Sequence, residues 1–354
     1  MDEATFRILD TLCRELGSTI SIHQLTARIR QYYGTVYYAR TYNKLIDLSK
    51  QGLITITKAG RSSIPSLNFS SYMLLDLLSE IEMRKKREFL ERFKTLLLLL
   101  MDMEAYARNN SRIESISLIN PERNAKLNRA ELLILLHDID SSILPDELLS
   151  IHHTLRNLES ARVIRIDSLP LMAKEFRSLI TSNEINPLKE MLSNRITFYN
   201  PNSFWQNICE ILRSSGRIIF EKEETNPAKI SKDDVYYNLS RFGYRELGIE
   251  PREGRPICIE YIIAAIMIRE GARLTGSIPI ILAKDKANYN VLIFLSQKHG
   301  LSGKLLGLLR ALEKLKPIRA PASAIKLLES LGAKGTRVDQ KALEQKIRLY
   351  NALR

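Results

Sequence analysis

Residues 21–68, SIHQLTARIRQYYGTVYYARTYNKLIDLSKQGLITITKAGRSSIPSLN, decide how the amino-terminal part of the chain is read. Ser21 followed by Gln24 has the spacing of a capping box, in which each side chain satisfies a free backbone N–H of the other residue. Ile22, Leu25, Ile29 and Tyr33 then recur at the interval of one helix face. Gly34 supplies a turn and Gly52 ends a second helix. Leu53, Ile54 and Ile56 open a strand that leads to a basic hairpin tip, Lys58-Ala59-Gly60-Arg61-Ser62-Ser63. Plotted at about 100° per residue, the second helix puts Ala39, Tyr42, Leu45, Ile46 and Ser49 on one side, and Tyr37, Arg40, Thr41, Lys44 and Asp47 on the other. A helix pair, a hairpin and a cationic face are what a winged helix-turn-helix needs to enter the major groove of double-stranded DNA. On this reading Tyr37, Tyr38, Arg40, Thr41 and Lys44 approach base edges, while Lys58 and Arg61 hold phosphates. The same architecture also serves to dock proteins, which stands as the alternative.

Outward from this stretch, Phe6, Leu9, Leu12, Cys13 and Leu16 place a first helix before Gly17. Residues 71–108 repeat Leu74, Leu77, Leu78, Ile81, Phe89, Leu90 and Phe93, which predicts one long helix. A helix there suits pairing of two copies, because operator symmetry mirrors protein symmetry. Within it the run Arg84-Lys85-Lys86-Arg87 covers the whole circumference, a solvated surface within reach of a DNA backbone.

Lys and Arg number 53 against 40 Asp and Glu, and the net charge of +13 favours polyanionic partners. A chain of 354 residues exceeds one ordinary core, so four segments are expected. These are a winged-helix DNA-binding domain at 1–70, a connecting and dimerisation helix at 71–110, a mixed α and β domain at 111–224, and a helical domain at 225–354. Cys13, Cys209 and Cys258 lie far apart, and the neighbours His152 and His153 diverge on a helix, so no disulfide, metal site or cofactor is predicted. The apolar run 96–101 is six residues, short of the roughly 20 that span a bilayer. No cleavable leader is apparent, so a cytoplasmic protein without membrane contact is expected.

Residues 113–119, IESISLI, and 131–136, ELLILL, read as strands. A helix at 146–158, a third strand at 163–167, a helix at 170–182 and a strand at 195–199 then make a small mixed sheet carrying helices on one side. The run SISLINPERNAK at 115–126, with AELLIL at 130–135, resembles the core of the minimal nucleotidyltransferase fold. NPLKEMLSNRITFYNPNSFW at 186–205 is similar to that family's short helix, strand and following helix. The resemblance implies a strand ending in a glycine-serine pair that opens a helix, then a strand beginning with two aspartates one residue apart. Here the pair is Asn120-Pro121, and proline has no amide hydrogen for a phosphate. The aspartate positions fall on Arg129 and Glu131, which puts a cation where a magnesium ligand is required. A nucleotidyltransferase-like domain without catalytic residues follows. The alternative is an active transferase with its metal ligands relocated to Asp138, Asp140 or Asp167. Arg123, Lys126 and Arg129 form a candidate phosphate-binding set.

Beyond a charged edge at 221–227, helical periodicity at 232–246, 257–273, 289–299, 304–316, 323–331 and 339–353 predicts a helical bundle. RLTGSIPIILAK at 273–284, with 292–300 and 305–309, resembles the carboxy-terminal part of antitoxin-like winged-helix proteins related to abortive infection systems. That resemblance implies a head that represses its own operon and a tail that contacts a protein partner. The expected protein is therefore an α+β multidomain chain, mostly helical, of archaeal type. Its function would be that of a DNA-binding transcription regulator acting as a homodimer.

Overall fold

The computed structural model describes residues 1–140, 142–215, 217–221, 223–244, 253–269, 272–282, 287–315 and 319–349. Three helices open the chain: α1 (Glu3–Arg14), α2 (Ile22–Tyr33) and α3 (Tyr38–Lys50). Asp2 caps α1 by accepting from the Thr5 amide at 2.9 Å. Ser21 and Gln24 cap α2 reciprocally. Leu9, Leu25, Ile29, Leu45, Leu48 and Leu53 close a core between these helices and a hairpin, β1 (Ile54–Ala59) and β2 (Ser62–Leu67). Ala59 pairs with Ser62, so the loop is Gly60-Arg61. Gly60 at φ 60° supplies the positive φ that such a two-residue hairpin loop demands.

The single long helix expected at 71–108 is two helices, α4 (Tyr72–Arg92) and α5 (Leu97–Asn109), with Phe93 at φ −123°, ψ 64° between them. The break lets one apolar sequence serve two cores. Leu74, Leu78 and Ile81 pack into the core shared with the head, while Phe89, Leu96, Leu99, Leu100 and Met103 line a second core beneath the central sheet.

That sheet comprises β3 (Ile113–Ile119), β4 (Arg129–Leu136), β5 (Arg165–Met172) and β6 (Arg195–Tyr199), in the order β5-β4-β3-β6. Between its strands lie α6 (Pro121–Lys126), α7 (Leu144–Arg162), α8 (Ala173–Thr181) and α9 (Pro187–Ser193). β3 runs antiparallel to both neighbours, and β4 is parallel to β5 with Glu131 opposite Asp167. Helices cover both faces, not one. Ile116, Leu132, Ile134 and Ile166 face one core, and Leu133, Leu135, Leu169 and Leu171 the other. The near-continuous apolar run of β4 is the mark of a strand buried on both sides. Pro170 belongs to β5, not to the following helix, because an edge strand needs no outward donor there.

α10 (Pro201–Ser215) packs on α4, and the rest of the described chain is helical: α11 (Lys232–Arg241), α12 (Ile259–Arg269), α13 (Ala272–Thr275), α14 (Ile278–Leu282), α15 (Tyr289–Lys298), α16 (Ser302–Leu315), α17 (Arg319–Ser330) and α18 (Gln340–Leu349). The expected helical segments extend at 245–246, 270–271, 316 and 350–353 outside the described residues, as does Ala283-Lys284 of the antitoxin-like run. The α+β, mostly helical class is thus observed. One hydrophobic cluster runs from Phe6 and Leu9 through Leu169 and Phe176 to Ile262, Phe294, Leu309 and Ile347. Among the described residues no helix is long and apolar enough to cross a membrane.

Candidate functional site

On the head, Tyr37, Tyr38 and Tyr42 are 61, 48 and 40% exposed along α3. The Tyr38 and Tyr42 rings stack with centroids 6.1 Å apart, and His23 of α2 lies 6.4 Å from Tyr38. Arg40 is exposed with its guanidinium 5.7 Å from the Tyr37 ring, and Lys58 and Arg61 are exposed at the hairpin tip. Two expected contacts are misplaced. Thr41 is only 2% exposed, and its hydroxyl donates to the Tyr37 carbonyl at 3.2 Å. Lys44 donates to Asp2 at 2.8 Å, and this bond, with the Thr5 amide, holds the Asp2 carboxyl well below the usual carboxylate range. The buried side of α3 is Thr41, Leu45 and Leu48, so the helix is turned from the expected wheel, and Ala39 and Tyr42 face outward.

The basic run of α4 is not a free surface. Arg84 pairs with Glu3 and Glu88 and lies over the Phe6 ring, Lys86 pairs with Glu104, and Lys85 is drawn inward between Asp10 and Glu82. These last contacts belong to a buried junction between head and sheet. Arg195, 3% exposed, sits 4.4 Å from the Phe204 ring and 4.8 Å from Trp205, with Glu82 at 3.5 Å. Lys85 donates to the Arg195 carbonyl at 2.7 Å, and Glu82 accepts from the Thr197 amide at 2.9 Å. Burial pushes the Asp10 carboxyl up, but Lys85 and Arg14 outweigh it and hold Asp10 well below the usual range.

In the central domain Arg123, Lys126 and Arg129 do not converge. Lys126 is exposed at the end of α6, Arg123 pairs with Glu224 at 2.7 Å, and Arg129 is turned into the sheet. Its Nε lies 2.5 Å from Asp167 Oδ2, an ion pair without hydrogen-bond alignment, and its Nη2 is 3.2 Å from Glu131. Lys298, at the end of α15, reaches Glu131 at 3.2 Å and also pairs with Glu224. Arg165 completes the ladder 3.3 Å from Asp167. Each carboxylate thus already meets two cations. Burial pushes Glu224 up, yet Lys298 and Arg123 bring it below its ordinary value. Asn120, at φ 45° and ψ 50°, is tied to Asn194 by its amide at 2.8 Å and its side-chain carbonyl at 3.1 Å. The space beside it, also lined by Lys298 and Glu190, is about 110 Å³. A drug-sized ligand needs about 300 Å³ or more.

Asp138 accepts from the Lys174 amide, and Asp140 from the Ser142 amide, so both hold loop backbone at helix starts. Among the described residues no group of three or more His, Cys, Asp or Glu side chains is placed to hold a metal ion. Lys298, Glu224 and Arg165 were not marked by any sequence pattern, since the first two approach the cleft from beyond the sheet. No family model, curated protein or solved structure matches the chain.

Proposed function

We propose that the chain binds double-stranded DNA through a winged-helix head and acts as a transcription regulator, with a central nucleotidyltransferase-like scaffold that does not catalyse. The observation that carries this is the outward side of α3. Tyr37, Tyr38, Arg40 and Tyr42 are exposed there, on the same unit as a hairpin that ends in exposed Lys58 and Arg61. Phenol hydroxyls, one guanidinium and the Asn43 amide suit base edges and phosphates. The non-catalytic reading is supported by Arg129 and Lys298, which neutralise Glu131 and Asp167 from within the chain. Carboxylates so engaged are poor ligands for a divalent cation.

Fluorescence anisotropy with labelled duplexes tests the reading. The triple variant Arg40→Ala, Lys58→Ala, Arg61→Ala should bind at least about tenfold more weakly, and its slope of log K against log salt should be shallower by about 2.7, or 0.9 per lost phosphate contact. Unchanged affinity would reject this face.

A second reading rests on the same surface. Tyr32 is also 37% exposed, and clustered tyrosines suit a protein-docking face. Failure of any duplex to bind at low salt, with a partner co-purifying, favours that reading. Pairing of two copies would use the outward side of α5, where Leu97, Leu98 and Met101 are 40, 51 and 56% exposed.

A further inference from the structure

A cavity of about 230 Å³ lies along the free edge of β5, between α7 on one side and α15 and α16 on the other. Its walls are of three chemical kinds. Leu155, Ile166 and Leu331 are apolar platforms. Arg156 and Arg165 are guanidiniums, each fixed by a carbonyl: Arg156 donates to Ser330 at 2.6 Å and Arg165 to Gln297 at 2.8 Å. A guanidinium has five N–H donors, so each fork keeps some to offer.

The third kind is unsatisfied. His152 is 3% exposed, and burial alone, with no neighbouring charge or hydrogen bond, lowers its imidazole to about 4. The ring is therefore neutral at pH 7 and one of its nitrogens is an acceptor. The Gln297 side-chain carbonyl is likewise buried without a hydrogen-bond partner. Buried polar atoms left unpaired are costly, and each calls for a partner.

Acceptors in the depth ask for N–H or O–H donors, platforms ask for a flat apolar body, and guanidiniums ask for an anion. We propose that this cavity is a binding site for a nucleoside monophosphate, the base meeting His152 and Gln297 and the phosphate meeting Arg156 and Arg165. Water would satisfy only the first demand. Glu159 also lines the cavity, and Asp167 is already engaged by Arg129, so the two guanidiniums face one uncommitted carboxylate. That balance suits a single phosphate and disfavours a triphosphate. The site lies beyond the sheet edge from the central cleft and shares with its charge ladder only Arg165 and Asp167.

Isothermal titration calorimetry of the full chain with AMP, GMP, CMP and UMP tests the assignment, with the four nucleosides and orthophosphate as separate probes. One nucleotide should bind 1:1, at least about tenfold more tightly than its nucleoside or orthophosphate. Arg156→Ala and Arg165→Ala should each weaken it about tenfold or more, the scale of one lost charge-assisted contact. Lys298→Ala, in the cleft, should leave the affinity unchanged. His152→Phe should abolish binding with a cooperative melt retained; if that variant does not fold, the two arginine variants, which are on the surface, carry the test. No binding of any nucleotide at millimolar concentration, binding that survives loss of both arginines, orthophosphate binding as tightly as the nucleotide, or binding lost in Lys298→Ala would overturn it.

Discussion

Gly17 sits at φ 81° with its open side against the backbone of a distant segment: a Cβ there would come 1.8 Å from the Ile218 carbonyl oxygen. The adjacent Phe220 amide donates to the Leu16 carbonyl at 3.0 Å, so the glycine is where residues 218–220 fasten the end of α1. Gly17→Ala should therefore cost about 3 kcal/mol, read by urea denaturation, from strained backbone plus displaced contacts; a loss below 0.5 kcal/mol would show that the segment yields freely. His152 gives a pH-dependent counterpart. Its folded value of about 4 lies below the ordinary imidazole value of about 6.5, so between these pH values the unfolded chain binds a proton that the folded chain does not. Stability should be full above about pH 6.5 and fall by about 2 kcal/mol on going to pH 4.5. His152→Leu should flatten that part of the stability profile. A helix stop at Gly17 is legible from sequence, but its tight fit is not, because the other partner is some two hundred residues away. The adjacent histidines were likewise legible as divergent, though not which of them would be buried.

At the scale of single elements, α3 shows how a weakly amphipathic helix misleads. Leu45 and Leu48 fix its inner side, and Thr41 completes it by returning its hydroxyl to the Tyr37 carbonyl. Tyr42 looks inward on a wheel because it is large and partly apolar, yet it stacks on Tyr38 in solvent. The two placements separate experimentally. Tyr42→Ala should weaken duplex binding severalfold, while Lys44→Ala, which removes an ammonium already paired with Asp2, should change it less than twofold; the reverse order would restore the sequence-based face. The strands of the central sheet were legible as strands, but the side on which helices lie was not, since alternation vanishes when both faces are buried. The break at Phe93 was invisible because neither proline nor glycine marks it. Only the competing demands of two cores do. It leaves Leu97, Leu98 and Met101 outward. If two copies pair there, Leu98→Glu with Met101→Glu should shift sedimentation from dimer to monomer without altering the circular-dichroism spectrum.

At the scale of the whole molecule, the segment boundaries read from composition do not coincide with boundaries in the core. The head shares its hydrophobic cluster with α12, α15 and α16, and the Asp10–Lys85–Glu82–Arg195 junction is buried between head and sheet. Charges removed from water this fully hold only as a complete set, because losing one partner leaves the others uncompensated. The head should consequently unfold with the body, not before it. Trp205 is the only tryptophan of the chain, is 0% exposed and packs against Arg195, so its fluorescence reports the junction itself. Guanidinium titration followed by Trp205 fluorescence and by far-ultraviolet circular dichroism should give coincident midpoints. Arg195→Met should lower both together by an amount equivalent to about 3 kcal/mol, since Glu82 would lose its guanidinium partner and the aromatic rings their cation. A separate early transition in circular dichroism, with the Trp205 signal still native, would mean that the head is an independent module. A signal received in the body could then reach bound DNA only through a flexible tether. Coincident transitions mean instead that whatever displaces α15 or β5 also presses on the element that carries Tyr38 and Arg40.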